Sequence, residues 1–174
     1  MTEIEAPKER KVVGIRKATP ADIIKIYRVI KDAFDETTVA FPPVDEANSI
    51  AWIHSVITNG LVYVAEYAGR IVGSLGMNVD FFPWARQEHA RHLNTAWLYV
   101  HPKYRKTGAA DALVNKSLEF AKATNMLATF GIMMDHNVEL KERFLKMKGM
   151  DYVGASFIYQ RHIKGEKDVS TKPV

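Results

Sequence analysis

The chain reads as a single α/β domain, a mixed sheet with helices on its faces, and three observations predict this. Its 174 residues lie in the usual range for one domain. Apolar residues recur with period two in some stretches and at steps of three and four in others. Read in order, these stretches give β, α, α, β, β, β, α, β, α, β, with glycine, proline and asparagine signals between them.

The elements follow from the residues. Val12 to Ala18 has the β-branched character of a short strand, and Thr19-Pro20-Ala21-Asp22 supplies an N-cap, a first-turn proline and an acidic third position. Ile23, Ile26, Tyr27, Ile30, Ala33 and Phe34 then share one helical face, so a helix should run to about Asp35. Phe41-Pro42-Pro43 interrupts the pattern before a second helix over Asp45 to Thr58, closed by Asn59-Gly60. Leu61 to Tyr67 and Arg70 to Val79, joined by Ala68-Gly69, read as a tight hairpin. Gly73 and Gly76 within its second strand signal a bulge or a close backbone approach.

After an aromatic and charged segment, Phe81 to Arg91, the run Leu93 to Val100 is the most strand-like in the chain. A helix is predicted from Gly108 to Thr124, with Ala110, Leu113, Val114, Ser117, Leu118 and Ala121 along one face. Leu127 to Met134 is a strand, Val138 to Lys148 a helix stopped by Gly149, and Tyr152 to His162 a last strand. The domain is expected over residues 12–162, between a polar N-terminal segment of residues 1–11 and a polar tail of residues 163–174.

Composition narrows the function classes. A content of 47% hydrophobic and 25% charged residues is ordinary globular usage. The absence of cysteine excludes disulfides, thiolate metal sites and a cysteine nucleophile. The first residues have no apolar core of a signal peptide, and no later run reaches membrane-span length, so a soluble cytoplasmic protein without membrane partners is expected. A net charge of +4 suits an anionic ligand but falls short of a nucleic-acid-binding surface. No His-x-x-x-His or carboxylate spacing supports a metal site.

The chemistry is carried by Val100-His101-Pro102-Lys103-Tyr104-Arg105-Lys106-Thr107-Gly108-Ala109-Ala110, a strand end, a basic turn and a glycine opening an amphipathic helix. Unpaired N–H groups and the positive end of the helix dipole face such a turn, and small residues let a phosphate reach the backbone. Taken alone, the segment also fits an ordinary strand-turn-helix connection with solvated bases. Its pattern of Arg105, Gly108 and Ala110 resembles the signature of the GNAT N-acetyltransferase superfamily: Arg or Gln, two residues, Gly, one residue, then Gly or Ala. The lead-in of Val100, Pro102 and Tyr104, the asparagine Asn137 after the next strand, and the helix-ending Gly149 extend the resemblance over residues 12–162.

The resemblance implies the GNAT fold, α/β (α+β), with a mostly antiparallel sheet of six to seven strands and about four helices, splayed between the fourth and fifth strands. It implies acetyl-CoA as cosubstrate and no metal. Arg105, Lys106, Thr107, Gly108, Ala109 and Ala110 would hold the diphosphate. The backbone of Leu98, Tyr99 and Val100 would pair with the pantetheine arm like an added strand, and Asn137 would line the cosubstrate. The expected reaction is direct acetyl transfer to a primary amine, and a homodimer is compatible with such a domain.

The family pattern fails at two places. The tyrosine often found in the helix after the fifth strand is replaced by Phe144 or Leu145, neither of which donates a proton. Where many members carry a glutamate early in the fourth strand, this chain has Asn94, which can hold a water but is no base. Glu88, His89 and His92 just before that strand and Asp135 and His136 just after its neighbour are the other candidates, each also readable as a solvated loop residue, with His92 and His136 favoured because histidine titrates near neutrality and both sit by strand ends that flank the expected thioester. These departures keep open a noncatalytic domain of the same fold, serving as a coenzyme A-binding or assembly part.

Overall fold

The computed structural model describes residues 13–37, 43–87, 90–131 and 138–153. Their strands are β1 (Gly14–Lys17), β2 (Leu61–Tyr67), β3 (Arg70–Phe81), β4 (Arg91–Val100) and β5 (Leu127–Thr129). They form one sheet in sequence order, antiparallel from β1 to β4 and parallel between β4 and β5. The helices are α1 (Ile23–Glu36), α2 (Glu46–Asn59), α3 (Ala109–Ala123) and α4 (Val138–Met147). The expected last strand falls mostly outside the described residues, and Tyr152 and Val153 at its start are in no strand.

Local chemistry fixes the boundaries. The Asp22 carboxylate accepts from the Thr19 backbone N–H and hydroxyl at 2.9 and 3.0 Å, which starts the turn leading into α1. Arg16 on β1 donates to both oxygens of Asp22 at 2.7 and 2.9 Å and to Glu66 on β2 at 3.0 Å, so one guanidinium ties that helix start to two strands. Ala68 and Gly69 have φ of 48° and 73°, the two left-handed residues that a tight hairpin between β2 and β3 requires.

Two apolar clusters hold the layers together. On one face, Ile26 and Ile30 of α1 and Ile53 and Val56 of α2 pack on Val62, Val64 and Trp97. On the other, Ala109, Leu113 and Ala121 of α3 pack on Ala65, Leu75, Met77 and Leu93. Burial of each large side chain contributes roughly 1.5–3 kcal/mol.

The strand glycines act by close approach. A Cβ on Gly76 would lie 2.4 Å from the Trp97 ring, whose Nε1 donates to the buried Ser74 hydroxyl at 3.1 Å. The register also shifts beside it: Gly76 pairs with Trp97 and Met77 with Thr95, leaving Ala96 as an extra residue in β4. This bulge reverses the alternation of the strand. Before it, Leu93 faces α3; after it, Leu98 and Val100 do, while Ala96 and Trp97 both join the α1/α2 side.

Replacing Gly76 with Ala is expected to destabilise the fold by about 1–3 kcal/mol, because Trp97 has no space to retreat. Gly14→Ala, whose new Cβ would meet nothing nearer than 3.9 Å, is the matched control. Urea denaturation of the two variants measures the difference.

Candidate active site

The site is built around the end of the β4–β5 ladder. Parallel pairing covers only His92 to Asn94 against Leu127 to Thr129. The Thr95 hydroxyl then donates to the Thr129 carbonyl at 2.8 Å, and the paired stretch of β5 ends there. Among the described residues β4 is paired with β3 alone from Ala96 onward, as the splay expected between the fourth and fifth strands requires; Ile132 to Met134 of the expected fifth strand lie outside the described residues. The His101 N–H donates to the Val72 carbonyl at 2.9 Å, so ladder alternation turns the backbone groups of Val100 and Leu98 away from β3. On that open side the Val100 carbonyl accepts from Arg105 Nε at 3.0 Å.

The basic turn after β4 is a 3-10 turn, Pro102–Thr107, closed by the Thr107 hydroxyl on the Tyr104 carbonyl at 2.6 Å. Gly108 follows with φ of 81°, a left-handed conformation that redirects the chain into α3. The first α-helical bond runs from the Ala112 N–H to the Gly108 carbonyl at 2.9 Å, so the N–H groups of Ala109, Ala110 and Asp111 precede the helical ladder. No side chain caps this end, and a Cβ added at Gly108 would meet nothing within 4 Å. Lys103 and Lys106 are exposed beside it, Thr107 and Ala110 are half-buried, and Ala109 is buried. The features that a diphosphate needs, open backbone donors at a helix N-terminus with lysines around them, therefore coincide.

Arg105 departs from the sequence expectation of mobile charge. Besides the Val100 carbonyl, its guanidinium holds the Glu36 carboxylate at the end of α1 and lies over the Tyr99 ring, 5.4 Å from its centroid. The Tyr99 hydroxyl donates to the other Glu36 oxygen at 2.5 Å. Burial alone would raise the Glu36 carboxyl, but the bonds from Tyr99 and Arg105 outweigh it and hold the group below the ordinary carboxylate value. Burial, and then the bonded carboxylate, push the Tyr99 phenol well above its usual range.

The candidates for proton transfer are arranged unevenly. Asn94 is exposed on the side of the sheet opposite Leu93 and bridges three strands: its Oδ1 accepts from the Thr129 hydroxyl at 3.0 Å, and its Nδ2 donates to Asp80 on β3 at 3.1 Å. His92 is buried under the Phe82 ring, stacked at 3.8 Å, and its Nδ1 has no hydrogen-bond partner among the described residues. Glu88, His89, Asp135, His136 and Asn137 lie outside the described residues. In α4, Phe144 is half-buried with the Lys148 ammonium 5.7 Å from its ring centroid, and Leu145 is half-buried beside it.

Comparison with known families decides the class. Residues 26–147 match the model of the acetyltransferase (GNAT) family. The chain belongs to the GNAT family. Solved GNAT-type structures share the fold at low identity. A predicted acetyltransferase from Clostridium acetobutylicum with acetyl-CoA is 16% identical, with a TM-score of 0.69 over 86% of this chain and 96% of that one. A ribosomal-protein-alanine N-acetyltransferase from Brucella melitensis biovar Abortus 2308 is 17% identical, with a TM-score of 0.64 over 86% and 97%. An aminoglycoside N-acetyltransferase in complex with CoA is 11% identical, with a TM-score of 0.64 over 90% and 99%.

Within this GNAT domain, two carboxylates escaped the sequence reading. Glu36 is 69 residues from its partner Arg105, and no local pattern marks the pair. Asp80 could have been found by counting the β3–β4 register across the intervening segment, which sets it opposite His92.

Because Glu36 ionises below its unfolded value, its contribution to stability is present above about pH 4.3 and is lost as pH falls through the folded value. Glu36→Gln is expected to cost about 1 kcal/mol at pH 7. Urea denaturation across the acid range should show this difference shrinking from about pH 5 to pH 3.

Proposed function

We propose that the protein transfers an acetyl group from acetyl-CoA to a primary amine within a ternary complex. The observation that carries this reading is the coincidence of two open features in one GNAT domain: the edge of β4 that no described strand pairs beyond Asn94, and the uncapped N-terminus of α3. The diphosphate would rest on the backbone of Arg105 to Ala110, with Lys106 supplying charge, and Asn137 would line the cosubstrate. Since the Arg105 guanidinium is committed to Glu36 and Val100, its part is to brace the turn rather than to meet the phosphates. The backbone of Leu98, Tyr99 and Val100 would pair with the pantetheine arm, as an added strand does.

The neutral amine attacks the thioester carbonyl, forming C–N while C–S breaks. The amine's proton leaves to a base or water, and the thiolate takes a proton from solvent. Positioning and N–H stabilisation of the oxyanion supply most of the acceleration. Asn94 cannot accept the amine's proton, so either the acceptor is an amine already neutral in part, or His92 or His136 is the base. A lysine amine near pKa 10.4 is less than about 0.1% neutral at pH 7, whereas an α-amine near 7.7 is roughly one-sixth neutral. A domain that retains coenzyme A without catalysis is the second reading, favoured by Phe144, Leu145 and Asn94 at the positions of proton-transfer groups.

Acetyl-CoA is expected to protect against thermal unfolding, by about 2.7 kcal/mol at a hundredfold excess over its dissociation constant. The absence of any shift at millimolar acetyl-CoA rejects the cosubstrate. Gly108→Val is expected to weaken acetyl-CoA binding at least about tenfold in calorimetric titration, since its side chain enters the space before the helix end and its backbone is strained at positive φ. For the acceptor, pH–rate profiles with amines of different pKa separate the cases. An apparent pKa that follows the amine identifies selection of the neutral form, and one independent of the amine that vanishes in His92→Ala or His136→Ala identifies that histidine as base.

A further inference from the structure

Resting on the acetyl-transfer reading, we infer the chemical class of the acceptor: a primary amine carried on an apolar, planar body, with its ammonium docked on Asp80. The acceptor's path is a stripe across β3 and β4 on the face away from α3, from the aromatic turn at Trp84 to Asp80 and Asn94 at the mouth of the splay.

Asp80 is the charged end of the stripe. It stands opposite His92 in the β3–β4 register, and one of its oxygens accepts from Asn94. Because the Thr129 hydroxyl occupies the Asn94 carbonyl, the amide is held with its NH2 toward Asp80. Asp80 has no cation paired with it among the described residues, whereas Glu36, the carboxylate near the far end of β4, is already taken by Tyr99 and Arg105. Asn94 is also the last β4 residue paired with β5, so a group on Asp80 stands beside the point where the cleft opens.

The aromatic end follows directly along the chain. Phe82, two residues beyond Asp80, stacks on His92 at 3.8 Å, and Trp84 lies against Phe82 with centroids 5.3 Å apart. Trp84 is 81% exposed, whereas Trp97 is buried and Trp52 packs edge-on against it. An exposed indole continuing a stacked aromatic pair offers a flat apolar surface to a ligand. Charge complementarity decides between acceptor classes. One carboxylate with Arg86 exposed on the connection that follows β3 suits a single ammonium and repels a polycation. His92 Nδ1, buried on this stripe without a partner among the described residues, is a further polar group that a bound donor would satisfy.

The test uses 2-phenylethylamine and its uncharged counterpart 2-phenylethanol as probes of the full-length protein. Tryptophan fluorescence is expected to report binding of the amine at least about tenfold tighter than the alcohol. In Asp80→Asn that preference should disappear, and Asp80→Glu should restore part of it. Trp84→Ala should lose the fluorescence response and raise KM for the amine several-fold while kcat changes less than about twofold. Equal binding of amine and alcohol, or a higher kcat/KM for neamine than for 2-phenylethylamine, would overturn the inference. So would a Trp84→Ala variant that keeps its amine affinity and only dissociates a dimer in sedimentation, since the aromatic turn would then face a second copy. Thermal protection by acetyl-CoA is measured on every variant. If protection is absent throughout while the Asp80-dependent preference persists, the acetyl-transfer reading fails and the amine site stands; if protection is present without the preference, the reverse holds.

Discussion

A β-strand has hydrogen-bonding groups on two sides, and among the described residues β4 uses one of them along its whole length for β3 but the other for only three residues of β5. Every other feature of the candidate site depends on that inequality. An unpaired strand edge inside a protein is costly unless something meets it. Here Arg105 Nε meets the Val100 carbonyl, and the chain turns immediately into a helix whose own N-terminus is open. The two sets of unfilled backbone groups are thus neighbours because a short turn, Pro102–Thr107, joins them.

The bulge at Ala96 determines which side chains share a face. With strict alternation, His92 and Asn94 would be followed on their side by Leu98 and Val100. The extra residue brings Trp97 and Tyr99 to that side instead, so the aromatic core under α2 and the Glu36 network under α1 lie on the same face as Asp80 and Asn94. Two carboxylates on one face then have opposite electrostatic roles. Glu36 is neutralised by Arg105 and stiffened by Tyr99, whereas Asp80 has, among the described residues, only the neutral amide of Asn94.

Much of this was legible in the sequence because it is local. The hairpin at Ala68-Gly69, the start of α1 at Thr19 to Asp22 and the glycine opening α3 each depend on residues within one turn of each other. The open helix end after the basic turn could be expected from Gly108 and its small neighbours, since helix-end geometry needs no tertiary context. What remained hidden is long-range. Periodicity cannot show that Glu36 meets Arg105, and a run as uniformly strand-like as Leu93 to Val100 conceals its bulge, which appears only when β3 is laid beside it. Of the strand expected over Leu127 to Met134, Leu127 to Thr129 is observed and Phe130 and Gly131 are in no strand, while Ile132 to Met134 lie outside the described residues.

The three-rung seam between β4 and β5 also bears on how the domain comes apart. The β2–β3 hairpin and its extension to β4 join segments near in sequence, whereas β1 and β5, at the two ends of the sheet order among the described residues, are brought in through long helical connections. Arg16 reaches Glu66 across 50 residues, and Thr95 reaches Thr129 across 34. Loop closure costs nearly the same for such lengths, so the anchoring contacts decide which edge is firmer. β1 has four paired residues and the Arg16 ion pairs; β5 has three paired residues and two threonine hydroxyls. Partial unfolding should therefore begin at β5 and spread toward α3, leaving the β1–β4 meander intact. An extended ligand lying along the open edge of β4 would supply rungs that this seam lacks, so the part of the domain that frays most easily is also the part that occupancy would knit together.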